Sequence, residues 1–364
     1  MSFLRCNPSV FVIDNEYEIA VWTKENGMVW ITVDGYDYYA ENSGVLASEV
    51  AFTRVRIPQN VLNNAKKYEI VYRKSIDRKA YFSEFAPPER AEFDFKPIEK
   101  QDNINIYHVA DVHYQFEKAV KMCGYFGEQT DLFIVNGDIG EVETEENYFE
   151  VVKFTGDISQ GKIPVLFVRG NHDTRGRLAE LFTDYFPSND KKTYFEFSVG
   201  PIGGVALDCG EDKRDDGVEY GGIVGEIIGT NNFHRFRLKE TEWLKTAKVE
   251  GKYKFAVAHI CPSQTTYDKG NVFDIERDIY SEWNEQIDRL GIKLMICGHM
   301  HDAYLLPAGD ERSTIAHNYD VVFGSRHRDT MWGCAMTLSG KDAIVRFTDE
   351  ENEVQESFTL KEIF

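Results

Sequence analysis

The first hundred residues are a series of short β-like runs, several of which alternate apolar and polar positions with a period of two. Runs of this kind, SVFVID, YEIAVWT, GMVWITVDG, EVAFTRVRIP, KKYEIVYRKS, KAYFSEFA and AEFDFKP, fill residues 9 to about 97, parted by turns such as Asp34-Gly35 and Glu25-Asn26-Gly27. A period of two marks strands with one buried face. About seven of them in under 100 residues predict an all-β sandwich.

The polar stretch Pro97 to Asn103, PIEKQDN, ends that pattern and sets an expected division into residues 1–97 and 98–364. Beyond it the runs INIYHVA, DLFIVNG, PVLFVRG, GVALDCG, KFAVAHI and KLMICGH are apolar throughout, as in strands buried on both faces. Text of helical character lies between them: FEKAVKMCGYF, NYFEVVKFTGDI, RLAELFTDYF, FHRFRLKETEWLKTAK and IYSEWNEQIDRL. Strands alternating with helices predict βα crossovers and a largely parallel sheet. After His301 the runs IAHNYDVVFG, GCAMTLSG, AIVRFTDEENEV and VQESFTLKEIF predict antiparallel strands that complete a second sheet, with turns at Ser339-Gly340 and Asp349 to Asn352. Gly217 to Gly229 reads as a loop, and Trp243 with Phe236, Leu244 and Ala247 as the buried side of a helix.

Composition narrows the class. With 42% hydrophobic residues over 364 positions the chain can bury a large core. No apolar run is long enough for a membrane span, and MSFLRCNPSVFVID lacks a secretory apolar stretch, so a cytoplasmic location is expected. The six cysteines form no Cys-x-x-Cys pair and are expected to be reduced and mostly buried. A net charge of −20 repels polyanions and argues against a track along nucleic acid, while a small charged substrate remains compatible with it.

Five of the apolar runs end in metal-ligand residue types. They are Asp111-Val-His113, Gly137-Asp138, Gly170-Asn171-His172-Asp173, His259 and Gly298-His299-Met-His301. In open α/β sheets ligands bind at the carboxyl ends of strands. Carboxylates, imidazoles and one amide oxygen, with no thiolate, suit Mn, Fe or Zn. Seven such ligands are too many for one tetrahedral ion and suit two ions sharing a carboxylate.

These motifs, in this order over residues 104 to 301, resemble the calcineurin-like metallophosphoesterase family. The resemblance implies a fold of two β-sheets flanked by helices in four layers. It also implies one divalent ion on Asp111, His113 and His301, a second on Asn171, His259 and His299, and Asp138 bridging both. His172 would then stand free of metal beside the leaving oxygen, with Asp173 orienting an imidazole. Two ions roughly 3.5 to 4 Å apart clamp phosphoryl oxygens and acidify a water for in-line attack, and manganese is the favoured pair. The sandwich in front is similar to the purple acid phosphatase arrangement. Leu62 and Tyr68 are spaced as in the tyrosine corner of fibronectin type III domains, so an immunoglobulin or fibronectin-III-like domain is expected over 1–97.

That domain order favours a small phosphomonoester as substrate. Phosphodiesters, cyclic nucleotides and nucleotide pyrophosphates are alternatives, and a non-catalytic metal-binding scaffold ranks below them. Two departures bear on this. Asp138 is followed by Ile139, Gly140 and Glu141, with no tyrosine for a purple ferric centre, and the Asp-Arg pair of phosphoprotein phosphatases is missing from VETEE. Arg169, Arg175 and Asn171 are candidates for substrate contact, whereas Arg177, Arg326 and Arg328 are expected mainly in structural or solvated roles. So are His108, His234, His317, His327 and the acidic stretch EVETEEN.

Overall fold

The structure, a computed structural model, describes residues 3–215, 231–263 and 273–364. Ile104–Val109, Leu132–Asn136 and Val165–Val168 run parallel at the centre of a first sheet. Successive residues face opposite sides: Ile104, Ile106, Leu132, Ile134, Leu166 and Val168 enter one apolar core, and Tyr107, Val109, Phe133, Val135, Val165 and Phe167 another. Helices Phe116–Met122 and Glu145–Ser159 pack on the latter core.

A second sheet sets Ile202–Leu207, Tyr253–Ala258, Leu294–Cys297 and Asp320–His327 parallel, with Phe195–Val199 antiparallel at its edge. One face shares the first core with the first sheet, and the other packs on helices Phe233–Leu244 and Arg277–Arg289. The layers are therefore helix, sheet, sheet, helix, as expected. Strands covered on both faces explain the unbroken apolar runs.

The C-terminal strands go elsewhere than expected. Asp320–His327 begins in the second sheet, but Arg326 and His327 pair with Trp332 and Met331 and carry the chain across to the first. Met331–Ser339 then lies antiparallel to Ile104–Val109, with Asp342–Asp349 and Val354–Leu360 outside it. The tail thus completes the first sheet, covering an edge of Ile104–Val109 that would otherwise stand open.

In the N-terminal region Gly27–Val33, Tyr36–Tyr39, Lys67–Asp77 and Glu89–Asp94 form a separate sheet. Its Val29, Ile31 and Ile70 share a core with Val12, Ile19, Val21 and Val55 of the layer opposite. That opposite layer, Ser9–Ile13, Glu16–Trp22 and Phe52–Pro58, belongs to the first sheet: Ser9–Ile13 pairs parallel with Val165–Val168, Phe11 against Val165. Hydrogen bonding is continuous from the central strands into this region. Every residue of SVFVI is buried, which is the pattern of an interior strand.

Tyr68 does not form the expected corner. Its hydroxyl donates to the carbonyl of Gly161 at 2.8 Å, 93 positions away, rather than to backbone a few residues upstream. KAYFSEFA yields only the short strand Glu84–Phe85, and RLAELFTDYF only a 3₁₀ turn and the helix Phe182–Tyr185. The Gly217 to Gly229 segment lies outside the described residues. Among the described residues no helix is long and apolar enough to cross a membrane.

Candidate metal centre

Three neighbouring strands of the first sheet and two of the second deliver the expected residues to one end of the sandwich. Asp111 and His113 follow Ile104–Val109, Asp138 follows Leu132–Asn136, and Asn171 and His172 follow Val165–Val168. His259 follows Tyr253–Ala258, and His299 and His301 follow Leu294–Cys297. Beneath them the Asn136 amide donates to the carbonyls of Ala258 at 3.1 Å and Ile296 at 3.3 Å, tying one sheet to the other. Gly170 is needed because a Cβ there would strike the Asp138 carboxylate and amide. Asp111, His113, Asp138, His299 and His301 hold φ of 53°, 44°, 54°, 69° and 51°. Each such conformation costs on the order of 1 to 3 kcal/mol and persists where surrounding structure imposes it, typically at functional sites.

The donor atoms fall into two groups. Asp111, His113, Asp138 and His301 each offer a ligand atom within 4.8 Å of the others, and so do Asp138, His259 and His299. Asp138 is common to both. Within the first group His113 Nε2 lies 3.2 Å from His301 Nε2, which is 3.4 Å from Asp111 Oδ1. Within the second His259 Nε2 lies 3.1 Å from Asp138 Oδ2, and the Asn171 amide oxygen 3.1 Å from His299 Nδ1. Ligands about 2.0 to 2.2 Å from one ion stand roughly 2.9 to 3.6 Å from each other, so the spacings fit coordination. His259 adds a sharper sign. Its Nδ1 donates to the Asn136 carbonyl at 2.6 Å, while Nε2 is buried without a hydrogen bond despite its nearness to Asp138. His259 Nε2 and Asp138 Oδ2 thus lie in contact without hydrogen-bond alignment. The residues present therefore fit divalent cations.

The electrostatics reflect the crowding of carboxylates and imidazoles. Burial works against a charged His259, but the Asp138 and Asp111 carboxylates outweigh it and lift its pKa to about 10. Burial likewise opposes ionisation of Asp138, yet His259, His172 and His299 hold its carboxyl well below the usual range. Burial pushes His113 down to about 4, and burial with the neighbouring His259 does the same to His299. Both imidazoles are thus held toward the neutral form, the form that can bind a cation.

Asp173 departs from expectation. Its carboxylate accepts the backbone N–H of Gly170 at 2.8 Å and of Asp138 at 3.0 Å, so it pins two ligand-bearing loops together instead of orienting an imidazole. Burial, with Asp138 close by, raises its pKa to about 6. The imidazole of His172 is oriented by Glu141 instead, whose carboxylate lies 3.3 Å from Nδ1. Nε2 then faces Asp138 Oδ2 at 3.9 Å and Arg175 Nη1 at 3.2 Å. Glu141 sits in a stretch expected to be solvated. Its position three residues after Asp138 is the signal that would have found it.

Arg175 is held by a two-pronged pairing with buried Glu211, at 2.7 and 2.6 Å, which keeps its guanidinium beside His172. Arg169 pairs with buried Asp208 at 2.8 Å and lies among the rings of Phe182, Phe233 and Phe236. Both arginines, with Glu141 and Phe233, line a cavity of about 780 Å³, and of these lining residues Glu141 and Arg175 contact the His172 ring. Arg326 instead lies over the Trp332 ring, Arg328 pairs with Asp302 at 3.1 Å, and Arg177 is exposed. His108 is a buried core imidazole bonded to the Asn136 amide, His317 is held by Tyr319 and Ser313, and exposed His234 pairs with Glu276. His327 is not a bystander: its ring centre lies 5.0 Å from that of His113 and 5.5 Å from that of His301.

The family model for calcineurin-like phosphoesterases matches residues 104–303, the span that contains every strand end just described. The chain belongs to that family. This calcineurin-like phosphoesterase matches no curated protein sequence. Among solved structures it is similar to a purple acid phosphatase from yellow lupin (Lupinus luteus) seeds, with a TM-score of 0.61 and 9% identity over 98% of this chain and 73% of that one. It is also similar to PhoD, with a TM-score of 0.58 and 10% identity over 98% of this chain and 90% of that one. At such identities the likeness is one of fold, and in both cases it extends through the N-terminal strands. The calcineurin-like phosphoesterase is a metal-dependent phosphoester hydrolase.

Proposed function

We propose that the protein is a dinuclear phosphomonoesterase acting on a small phosphorylated substrate. The observation that carries the dinuclear part is the membership of Asp138 in both ligand groups. In this reading Asp111, His113 and His301 hold one divalent ion, Asn171, His259 and His299 the other, and Asp138 bridges them, with manganese as the favoured pair. When bound, such ions neutralise phosphoryl charge and lower the pKa of a coordinated water toward about 7.

The remaining work falls to this chain's own residues. His172, with Nδ1 engaged by Glu141, delivers a proton from Nε2 to the leaving oxygen once the Arg175 guanidinium, which faces Nε2 at 3.2 Å, has turned to the phosphoryl group. Arg175, fixed by Glu211, contacts a non-bridging phosphoryl oxygen. Arg169 is tied to Asp208 and shapes the wall, so its expected substrate contact gives way to that role. The cavity of about 780 Å³ has the size of a small-molecule site. Together with the net charge of −20 this favours a small ester over a long polyanion.

The test is steady-state hydrolysis of a chromogenic phosphomonoester and its matching diester by manganese-loaded protein. Monoester turnover exceeding diester turnover is expected, with His172→Ala lowering kcat by roughly 10² to 10⁴-fold at unchanged metal content. Faster diester turnover overturns the monoesterase assignment, and full activity in the variant overturns the role of His172.

A further inference from the structure

We propose that His327 is a positioning residue for one half of the centre, the Asp111, His113 and His301 group, without binding metal itself. The inference rests on the ligand assignment above and concerns what holds those ligands in place. His327 Nδ1 lies 2.8 Å from the carbonyl oxygen of Asp111 and donates to it, while Nε2 lies 3.0 Å from the amide nitrogen of Gln115 and accepts from it. Both ring nitrogens are thereby occupied, which fixes the neutral tautomer and leaves no lone pair for a cation. The ring itself stands edge-on to His113, at 81°, and tilted by 48° to His301.

A second side chain on the same strand acts on the same turn. Ser325, two residues earlier and so on the same face, donates to the carbonyl of Ala110 at 2.9 Å. Strand Asp320–His327 thus grips Ala110 and Asp111 by consecutive carbonyls, just where Asp111 takes the left-handed φ of 53°. Such backbone persists only if neighbours impose it, and His327 supplies one of the bonds that do, beside that of Ser325 and that of the Asp111 N–H to the Gly137 carbonyl at 3.1 Å. The other half of the centre has a separate support: His259 is oriented by the Asn136 carbonyl, and the Asn136 amide is anchored on Ala258 and Ile296. The two halves share Asp138, and the His299 N–H donates to the Asp111 carboxylate at 3.0 Å, but their other supports differ, so loss of His327 falls mainly on the ion held by Asp111, His113 and His301.

Calorimetric titration of the metal-free full chain with Mn²⁺ tests this, for the parent, His327→Phe and His327→Asn. Phe keeps a ring without either hydrogen bond, whereas Asn restores a donor near the Asp111 carbonyl. The parent is expected to take up two ions. In His327→Phe one of the two weakens by about 10 to 100-fold, the range for lost outer partners of metal ligands, while the other stays within about twofold, and His327→Asn regains part of the loss. Should the Phe variant fail to fold, Gln115→Ala, which frees Nε2 alone, is expected to weaken the same ion by a smaller factor. Unchanged affinities, or equal weakening at both ions, contradict the positioning role. A parent that binds fewer than two ions contradicts the dinuclear assignment instead, and this inference falls with it.

Discussion

At the scale of single residues, Asp138 and His108 make the account testable in opposite ways. Asp138→Asn keeps the side-chain volume and removes the charge shared by both ligand groups. Both ions are expected to be lost at micromolar metal, with turnover at or below about 1% of the parent, since the ions supply the nucleophile and the charge neutralisation; metal analysis and rate measurement check it. His108 has no chemical role, but burial pushes its pKa down to about 4 from 6.5. Between those values the unfolded chain binds more protons than the folded one, so stability is full at higher pH and declines as pH falls from about 6.5 to 4. The whole effect is about 3 kcal/mol. Denaturant unfolding at pH 7 and 4.5 should show a decline that is shallower in His108→Gln, and identical pH dependence would refute the assignment. The candidate ligands could be proposed from sequence because each closely follows the end of an apolar run. His327 could not, because its contacts depend on which strands become neighbours and it reaches Asp111 across 216 positions; Glu141, three residues after Asp138, was read with the acidic stretch that it begins.

At the scale of elements, the strand ends work only if their turns close. Gly170 lies against Asp138, with no room for a methyl group. Gly170→Ala is expected to leave secondary structure intact by circular dichroism while reducing metal affinity by about 10-fold or more, because the Asn171 and Asp138 loops must separate. Unchanged affinity would mean that the loops tolerate the shift. Apolar runs and helical text were sufficient to predict the parallel strands and four layers. They did not reveal that the tail strands complete the first sheet, because one-sided antiparallel strands read alike whichever edge they join. Nor did the strand text distinguish SVFVI, buried on every residue, from Gly27–Val33, which is buried on alternate residues.

At the scale of the whole molecule, the N-terminal strands extend the sheet that carries half of the centre. Pairing of Phe11 with Val165, backbone bonds between Asp14 and both Glu196 and Ser198, and the Tyr68 hydroxyl on Gly161 cross the position where the strand pattern changes. A single cooperative unfolding transition is therefore expected, coincident by circular dichroism and tryptophan fluorescence, and Tyr68→Phe is expected to cost about 1 kcal/mol without splitting it. Two resolved transitions would show that the regions fold separately.

The most direct test of the dinuclear centre is a crystal structure of manganese-loaded protein with anomalous diffraction. Two peaks are predicted, both bonded to Asp138, one also to Asp111, His113 and His301 and the other to Asn171, His259 and His299. A single peak, or two that do not share Asp138, would contradict the account.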